Sequence, residues 1–252
     1  MKKNLVICDE DLRYATRLGE NISAREDGSL NVYVYSNLGQ ALQSTKHREN
    51  DIFLVSEGFS VEEHTEPGNW WCGEKEVDPW DWRTVIAREG RIVYGKFFGK
   101  KAGFISKKWF PYFANYRRDG YDFDSLWEDG KASMRQRKIM DLFEDTTRLF
   151  SYEIKEKAGF GKGGEKNFEG TISDLQMSTY LCMRDFKKRV NKKGEEYGWD
   201  VAIYAKPEQL FGYKHVTKAY KEEPAESYAR IVKQIKKCYP EADERVIRKV
   251  VK

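Results

Sequence analysis

The chain lacks the sequence features of secreted, membrane-spanning and zinc-binding proteins. Its four cysteines, Cys8, Cys72, Cys182 and Cys238, are scattered over 252 residues and form no Cys-x-x-Cys pair. This pattern argues against a disulfide framework or a zinc site and is typical of reduced thiols in the cytoplasm. No apolar run approaches the length of a membrane span, and the apolar residues after the first lysines are too few for a signal peptide. We therefore expect a cytoplasmic protein without membrane contact.

Aromatic and charged residues are abundant instead. Aromatic residues make up 14% of the chain and charged residues 34%, which allows a packed core and argues against disorder. The net charge of +4 is unevenly distributed, because residues 1–57 carry −2 and the remainder carries +6. Any polyanion is therefore expected to bind the part of the chain after residue 57.

Residues 1–57 alternate between predicted strands and helices. Strands are predicted at 5–8, 32–35 and 52–55, with helices at 12–23 and 38–46. This β-α-β-α-β order predicts parallel strands joined by right-handed crossovers.

The segment resembles the first half of a response-regulator receiver domain, a flavodoxin-like α/β fold. The acidic pair of that fold is matched by Asp9 and Glu10, but Ser56 stands at the phosphoacceptor position and the later strands are missing. We therefore expect no phosphotransfer, and we expect the acids to cap a helix. A half receiver leaves apolar faces exposed, so either the rest of the chain covers them or the segment is only marginally stable.

Residues 150–204 predict a helix-turn-helix followed by a basic β-hairpin. A first helix is predicted at 152–158, between an N-cap at Ser151 and a C′ residue at Gly159. A Gly/Lys turn leads to a second helix at 165–177, with an apolar stripe formed by Phe168, Ile172 and Leu175. Two β-prone runs, 179–190 and 197–205, follow, joined by a turn at 191–195. This order predicts a winged helix over about 134–205, within an α+β domain.

Cations on such a hairpin suit double-stranded DNA, because lysine and arginine displace the counterions that are condensed on phosphates. The turn at 161–164 resembles a phosphate cradle before a helix N-terminus. Alternatively, the basic run is only a solvated hairpin tip. Arg117 and Arg118 are expected either to bind phosphates or to pair with nearby aspartates. The predicted DNA contacts are Lys162, Lys166, Asn167, Lys187, Lys188, Arg189, Lys192, Lys193, Arg117 and Arg118.

The chain from about residue 58 onward contains several long and unusual strings, and six tryptophans lie between Trp70 and Trp127. The strings are Gly58-Phe59-Ser60-Val61-Glu62-Glu63-His64, Trp80-Asp81-Trp82, Tyr94-Gly95-Lys96-Phe97-Phe98, Phe113-Ala114-Asn115-Tyr116-Arg117-Arg118-Asp119-Gly120-Tyr121 and Lys157-Ala158-Gly159-Phe160-Gly161-Lys162-Gly163-Gly164. With these strings the chain resembles the AlkZ-related family, which is related to winged-helix DNA glycosylases that unhook bulky alkylated bases.

The resemblance implies a DNA-binding protein that is similar to glycosylases for alkylated or crosslinked bases, with or without catalysis. The related enzymes carry two glutamines that flank one apolar residue, or a histidine variant, to position water. This chain has no Gln-x-Gln, and its isolated glutamines, such as Gln176, do not reproduce the pattern. A transcriptional regulator or a protein-interaction module is the alternative. The resemblance also places a junction near Gly58, between domains 1–57 and 58–252.

Asp81 is the candidate catalytic residue, because a carboxylate between two tryptophans could hold water beside an extruded base. Trp80, Trp82, Tyr116 and Tyr121 are the candidate stacking residues. Alternatively, the tryptophans form core and Asp81 caps a helix that starts at Trp82. His64 and His215 lack a second ligand at suitable spacing, so no metal and no other cofactor is expected. Two C-terminal helices, at 225–238 and 243–251, are expected to pack on the winged helix.

Overall fold

A computed structural model describes residues 3–8, 12–25, 30–36, 40, 51–55, 59–61, 79–238 and 240–252. Several predicted features lie outside these residues, namely the acids at 9–11, Ser56, Gly58 and His64. The helix predicted at 38–46 also lies outside them, except for Gln40. Among the described helices, none has the length and apolar character that crossing a membrane requires.

A parallel three-stranded sheet forms the N-terminal layer. Its strands β1 (Lys3–Cys8), β2 (Leu30–Tyr35) and β3 (Asp51–Val55) lie in the order β2-β1-β3. Helix α1 (Leu12–Arg25) connects β1 with β2. The three predicted strands and the helix predicted at 12–23 are confirmed, as is the parallel pairing of β1 with both neighbours.

The second sheet has six strands, and its pairs are antiparallel. In spatial order β4-β6-β5-β8-β9-β7, its strands are β4 (Phe59–Val61), β6 (Lys101–Ser106), β5 (Ile92–Phe98), β8 (Cys182–Val190), β9 (Glu196–Ala205) and β7 (Leu149–Phe150). Gly99 and Lys100 form the turn into β6, both with positive φ.

Helix α2 (Pro79–Glu89) lies between the two layers. Its residues 83–87 are all buried, so the helix has no water-facing side over this turn. Val85 and Ile86 share one apolar cluster with Leu5, Ile7, Tyr14, Leu18 and Ile22 of the N-terminal layer. At the edge of this contact, Glu89 accepts hydrogen bonds from Arg17 and Asn21. The second part of the chain therefore covers an apolar face of the N-terminal layer.

Three helices follow β6: α3 (Phe110–Arg118), α4 (Phe123–Glu128) and α5 (Met134–Asp141). Ser133 caps α5 through a capping box, in which its side chain accepts from the Gln136 amide.

The segment from α5 to β9 consists of a helix, a short strand, two further helices and a β-hairpin. The short strand, β7, pairs with β9. Its other helices are α6 (Ser151–Lys157) and α7 (Phe168–Met177). Phe168, Ile172 and Leu175 are buried in the largest apolar cluster, which confirms the predicted stripe.

Two boundaries in this segment differ from the prediction. The helix predicted from residue 165 begins at Phe168, because Asn167 takes a left-handed conformation with φ of 65°. The strand predicted from residue 179 begins at Cys182, because Thr179 also has a left-handed φ of 62°. A left-handed conformation is rare for a β-branched residue and ends regular structure on both sides.

The C-terminal part consists of helices. They are α8 (Pro207–Phe211), α9 (Tyr213–Val216), a 3₁₀ turn (Lys218–Lys221), α10 (Pro224–Cys238) and α11 (Glu244–Val251). Asp243 caps α11 by accepting hydrogen bonds from the backbone amides of Arg245 and Val246. The last two helices pack mainly on α3 and β5, rather than on the 134–205 segment as predicted.

Candidate nucleic-acid interface

The β8–β9 hairpin extends beyond the packed body of the protein. All residues from 187 to 200 are exposed. The side-chain oxygen of Asn191 accepts hydrogen bonds from the amides of Lys193 and Glu195, and Gly194 completes the turn with φ of 83°. An asparagine oxygen and a left-handed glycine are what a tight turn requires. We call residues 187–200 the wing.

The cations of the wing differ in their surroundings. Within the described part of the chain, Lys187, Lys188, Lys192 and Lys193 form no ion pair. Arg189 differs, because its guanidinium lies over the Tyr152 ring at 4.7 Å from the ring centre. Partial burial of Tyr152 raises the pKa of its phenol.

At the base of the wing, Asp185 is buried and already paired. Its carboxylate accepts from Arg88 Nε at 2.7 Å and from the Phe186 amide at 2.8 Å. Arg184 donates to the Ala87 carbonyl of the same helix. These contacts attach β8 to α2, and they leave Asp185 unable to neutralise the wing lysines.

The turn between α6 and α7 exposes Lys162 and Lys166. The prediction that this turn cradles a phosphate is only partly met, because two of its amides are already used inside the turn. The Gly161 amide donates to the Glu165 carbonyl, and the Gly164 amide donates to the Gly161 carbonyl. Glu165 accepts from Lys138 at 2.7 Å and from Arg135 at 3.1 Å. These bonds hold the turn on α5 and lower the pKa of the Glu165 carboxyl.

The outer face of α7 is not basic. Asn167 and Glu169 are exposed at its N-terminus. Further along, Asp174 pairs with Lys100 at 2.9 Å. A face with two carboxylates is unfavourable for close approach to phosphates, so the cations of this segment are concentrated on the wing and the turn.

Arg118, predicted as a phosphate contact or as a partner of nearby aspartates, lies in the interior. It is 2% exposed and donates to Glu208 at 2.5 Å and to the Thr179 carbonyl at 2.5 Å. Its guanidinium also lies over the Tyr180 ring at 4.5 Å. Since these partners occupy it, we assign Arg118 to the core rather than to the DNA contacts.

Arg117 also points inward. Its guanidinium lies over Phe113 and Phe98, and its Nε donates to the Val251 carbonyl at 3.0 Å. Both terminal nitrogens are buried and find no hydrogen-bond partner among the residues that the structure describes, and burial lowers the Arg117 pKa to about 9. Within the described residues it forms no ion pair with the aspartates that follow it.

The two candidate stacking tyrosines have separate partners. Tyr116 packs against Tyr228 at 4.9 Å between ring centres. The Tyr121 hydroxyl donates to Asp129 and accepts from Lys131. Trp80, Asp81 and Trp82 lie in the first turn of α2, with side chains outside the described part of the structure. Because α2 begins at Pro79, Asp81 is within the helix and not at the N-cap that the alternative interpretation assumed.

Gln176 is a buried structural residue. Its oxygen accepts from the Lys96 amide at 2.9 Å, and its nitrogen donates to the Ile172 carbonyl at 3.0 Å. Among the described residues, no group of three or more His, Cys, Asp or Glu could hold a metal ion.

Sequence reasoning missed Trp199. It lies on the wing and is 85% exposed, the most exposed of the large apolar side chains described. The signal was available, since Gly198-Trp199-Asp200 places a tryptophan among polar residues and beside a glycine in a strand, where glycine often marks a bulge.

Comparison with known proteins gives one match. A family model described as AlkZ related matches residues 52–252, about four fifths of the chain. The match begins inside β3, a few residues before the junction predicted at Gly58, so a strand of the N-terminal sheet belongs to the matched region. No curated protein and no solved structure matches the chain.

Proposed function

The chain belongs to the AlkZ-related family, and on this premise we propose that it is a winged-helix protein that binds double-stranded DNA. The observation that carries the proposal is the exposed wing with four lysines that form no ion pair within the described residues. Unpaired cations on a projecting hairpin bind a polyanion by releasing its counterions.

The order of elements supports the winged-helix assignment. Helix α5, strand β7, helices α6 and α7 and the β8–β9 hairpin follow one another, and β7 pairs with the second hairpin strand. In winged-helix proteins the second helix of the helix-turn-helix and the hairpin face the nucleic acid together. Here Lys166 and Asn167, which lie immediately before α7, are the residues of this unit suited to DNA, since the helix itself carries Glu169 and Asp174.

The contacts proposed are mainly to phosphate. Lys187, Lys188, Lys192 and Lys193 supply them from the wing, and Lys162 supplies a further one from the turn. Phosphate contacts fix the position of a protein on a duplex without reading its sequence. Arg189 serves as a bridge between the wing and Tyr152 rather than as a free contact.

The proposal predicts a specific salt dependence. Replacing Lys187, Lys188, Lys192 and Lys193 with alanine should weaken duplex binding and reduce the slope of log affinity against log salt by about 3–4. The matched control replaces four exposed lysines elsewhere with alanine, namely Lys214, Lys218, Lys221 and Lys233. Equal slopes for the two variants and the wild type would remove the wing from the DNA interface.

Base excision is the finer proposal. The family relation points to glycosylases for alkylated or crosslinked bases, and Asp81 is the residue on which we expect any excision to depend. Asp81→Asn should lower excision from alkylated duplex about 10²–10⁴-fold while DNA affinity stays unchanged, because a general base acts only in the chemical step. Formation of abasic sites is the measurement. Excision at the wild-type rate would exclude Asp81.

The alternative is a module without catalysis, either a transcriptional regulator or a protein-interaction domain. The absence of Gln-x-Gln favours it. It predicts salt-dependent DNA binding or partner binding, with no abasic sites formed by the wild-type protein on any alkylated duplex.

A further inference from the structure

Trp199 owes its exposure to an irregularity in the hairpin. Lys187 pairs with Val201 and Arg189 pairs with Tyr197, so three residues of β9 stand opposite Lys188 alone. Gly198 allows this bulge with φ of 75°, a conformation that suits glycine. Bulges redirect side chains away from the regular ladder. In the described part of the chain, Trp199 neither contacts another aromatic ring nor forms a hydrogen bond.

The surroundings of this ring indicate the chemistry of its partner. Tyr197, 49% exposed, lies on the same strand, and the lysines of the wing lie on β8 and in the turn. Glu196 and Asp200 flank the two aromatic residues on β9. Carboxylates there are unfavourable for phosphate, whereas a nucleobase carries no charge. The hairpin thus has one strand suited to a phosphate backbone and one suited to a base.

We propose that Trp199, with Tyr197, is a stacking site for an unpaired nucleobase, so that the protein binds gapped DNA more tightly than intact duplex. This inference rests on the proposed DNA-binding function. In an intact duplex each base is already stacked and paired, and the ring would have to displace it. At a gap the base is free to stack on an aromatic side chain.

The experiment compares two labelled DNAs of the same sequence, one intact and one with a short single-stranded gap. By fluorescence anisotropy, the wild type should bind the gapped DNA roughly tenfold more tightly than the intact duplex. This ratio corresponds to the free energy of stacking one base on an aromatic side chain. Trp199→Ala should lose this preference and keep its affinity for intact duplex. Trp199→Phe should keep most of the preference, and the control Val190→Ala, at another exposed wing position, should keep all of it.

A second readout is tryptophan emission. Gapped DNA should quench it in the wild type and less in Trp199→Phe, which can stack but lacks the fluorophore. Equal wild-type affinity for both DNAs, or an unchanged preference in Trp199→Ala, would overturn this inference alone. Absence of binding to either DNA would overturn the proposed function as well. Dimerisation of the wild type that Trp199→Ala abolishes would assign the ring to a protein contact instead.

Discussion

Two basic segments of this chain look similar in sequence and differ completely in environment. Arg117 and Arg118 have buried guanidinium groups among aromatic rings, whereas the four wing lysines face water. A positive charge in a sequence therefore does not identify a polyanion site. What distinguishes the two segments is whether the rest of the fold packs around the charged groups.

Arg118→Met should give the largest effect on stability. Removing one partner of a buried ion pair typically costs about 3–5 kcal/mol, because it leaves the other polar groups without compensation. Here Glu208 and the Thr179 carbonyl would lose their donor. We expect a loss of about 3 kcal/mol in the free energy of unfolding, measured with urea. A loss below about 1 kcal/mol would mean that the network contributes little.

Arg117→Met provides the sharpest comparison, since it is the same substitution one residue earlier. Two nitrogens of Arg117 are buried with no hydrogen-bond partner in the described part of the chain, and burial lowers its pKa to about 9. An apolar side chain of similar length removes that desolvation cost and sacrifices one hydrogen bond, to the Val251 carbonyl. The free energy of unfolding should change by about 1 kcal/mol or less in either direction. A loss of stability as large as that of Arg118→Met would show that the two buried arginines do not differ in their contribution to folding.

Glu165 tests an intermediate case, a charge that is paired at the surface. Its pKa is lowered by Lys138 and Arg135, so its contribution to stability is present above the unfolded-state pKa. That contribution disappears as the pH falls through the folded-state pKa. Glu165→Gln should therefore be less stable than the wild type at neutral pH, with the difference shrinking in acid. A difference independent of pH would assign the effect to the turn geometry instead.

The wing should give the smallest effect on stability. Replacing its four lysines with alanine should alter the free energy of unfolding by no more than about 0.5 kcal/mol in total, because exposed side chains contribute little. The same variant is the one expected to lose DNA affinity. Thermal unfolding and DNA titration of one preparation would measure the change in stability and the loss of DNA affinity together. A large drop in Tm would indicate that the wing packs on the body.

Local patterns allowed much of the fold to be predicted. The stripe of Phe168, Ile172 and Leu175 follows from helical periodicity, and the turn at Asn191 follows from its composition. The environment of Arg118 could not be predicted, because Thr179, Glu208 and Tyr220 lie far along the chain.

Two further features depend on geometry that a sequence pattern does not contain. The left-handed conformations of Asn167 and Thr179 moved two element boundaries, although both residue types occur within regular structure. On the wing, a β-prone run at 197–205 was predicted without the bulge at Gly198, so the exposure of Trp199 was missed.

The burial of α2 also affects how the protein is made. The N-terminal layer leaves the ribosome first, but its apolar residues Leu18 and Ile22 share their cluster with Val85, Ile86 and Ile92 of the later segment. At roughly 5–20 residues per second, several seconds of translation separate the two parts. During that interval the nascent layer has an apolar face open to chaperones and to other chains. Its native packing is completed only when the segment through β5 has been synthesised.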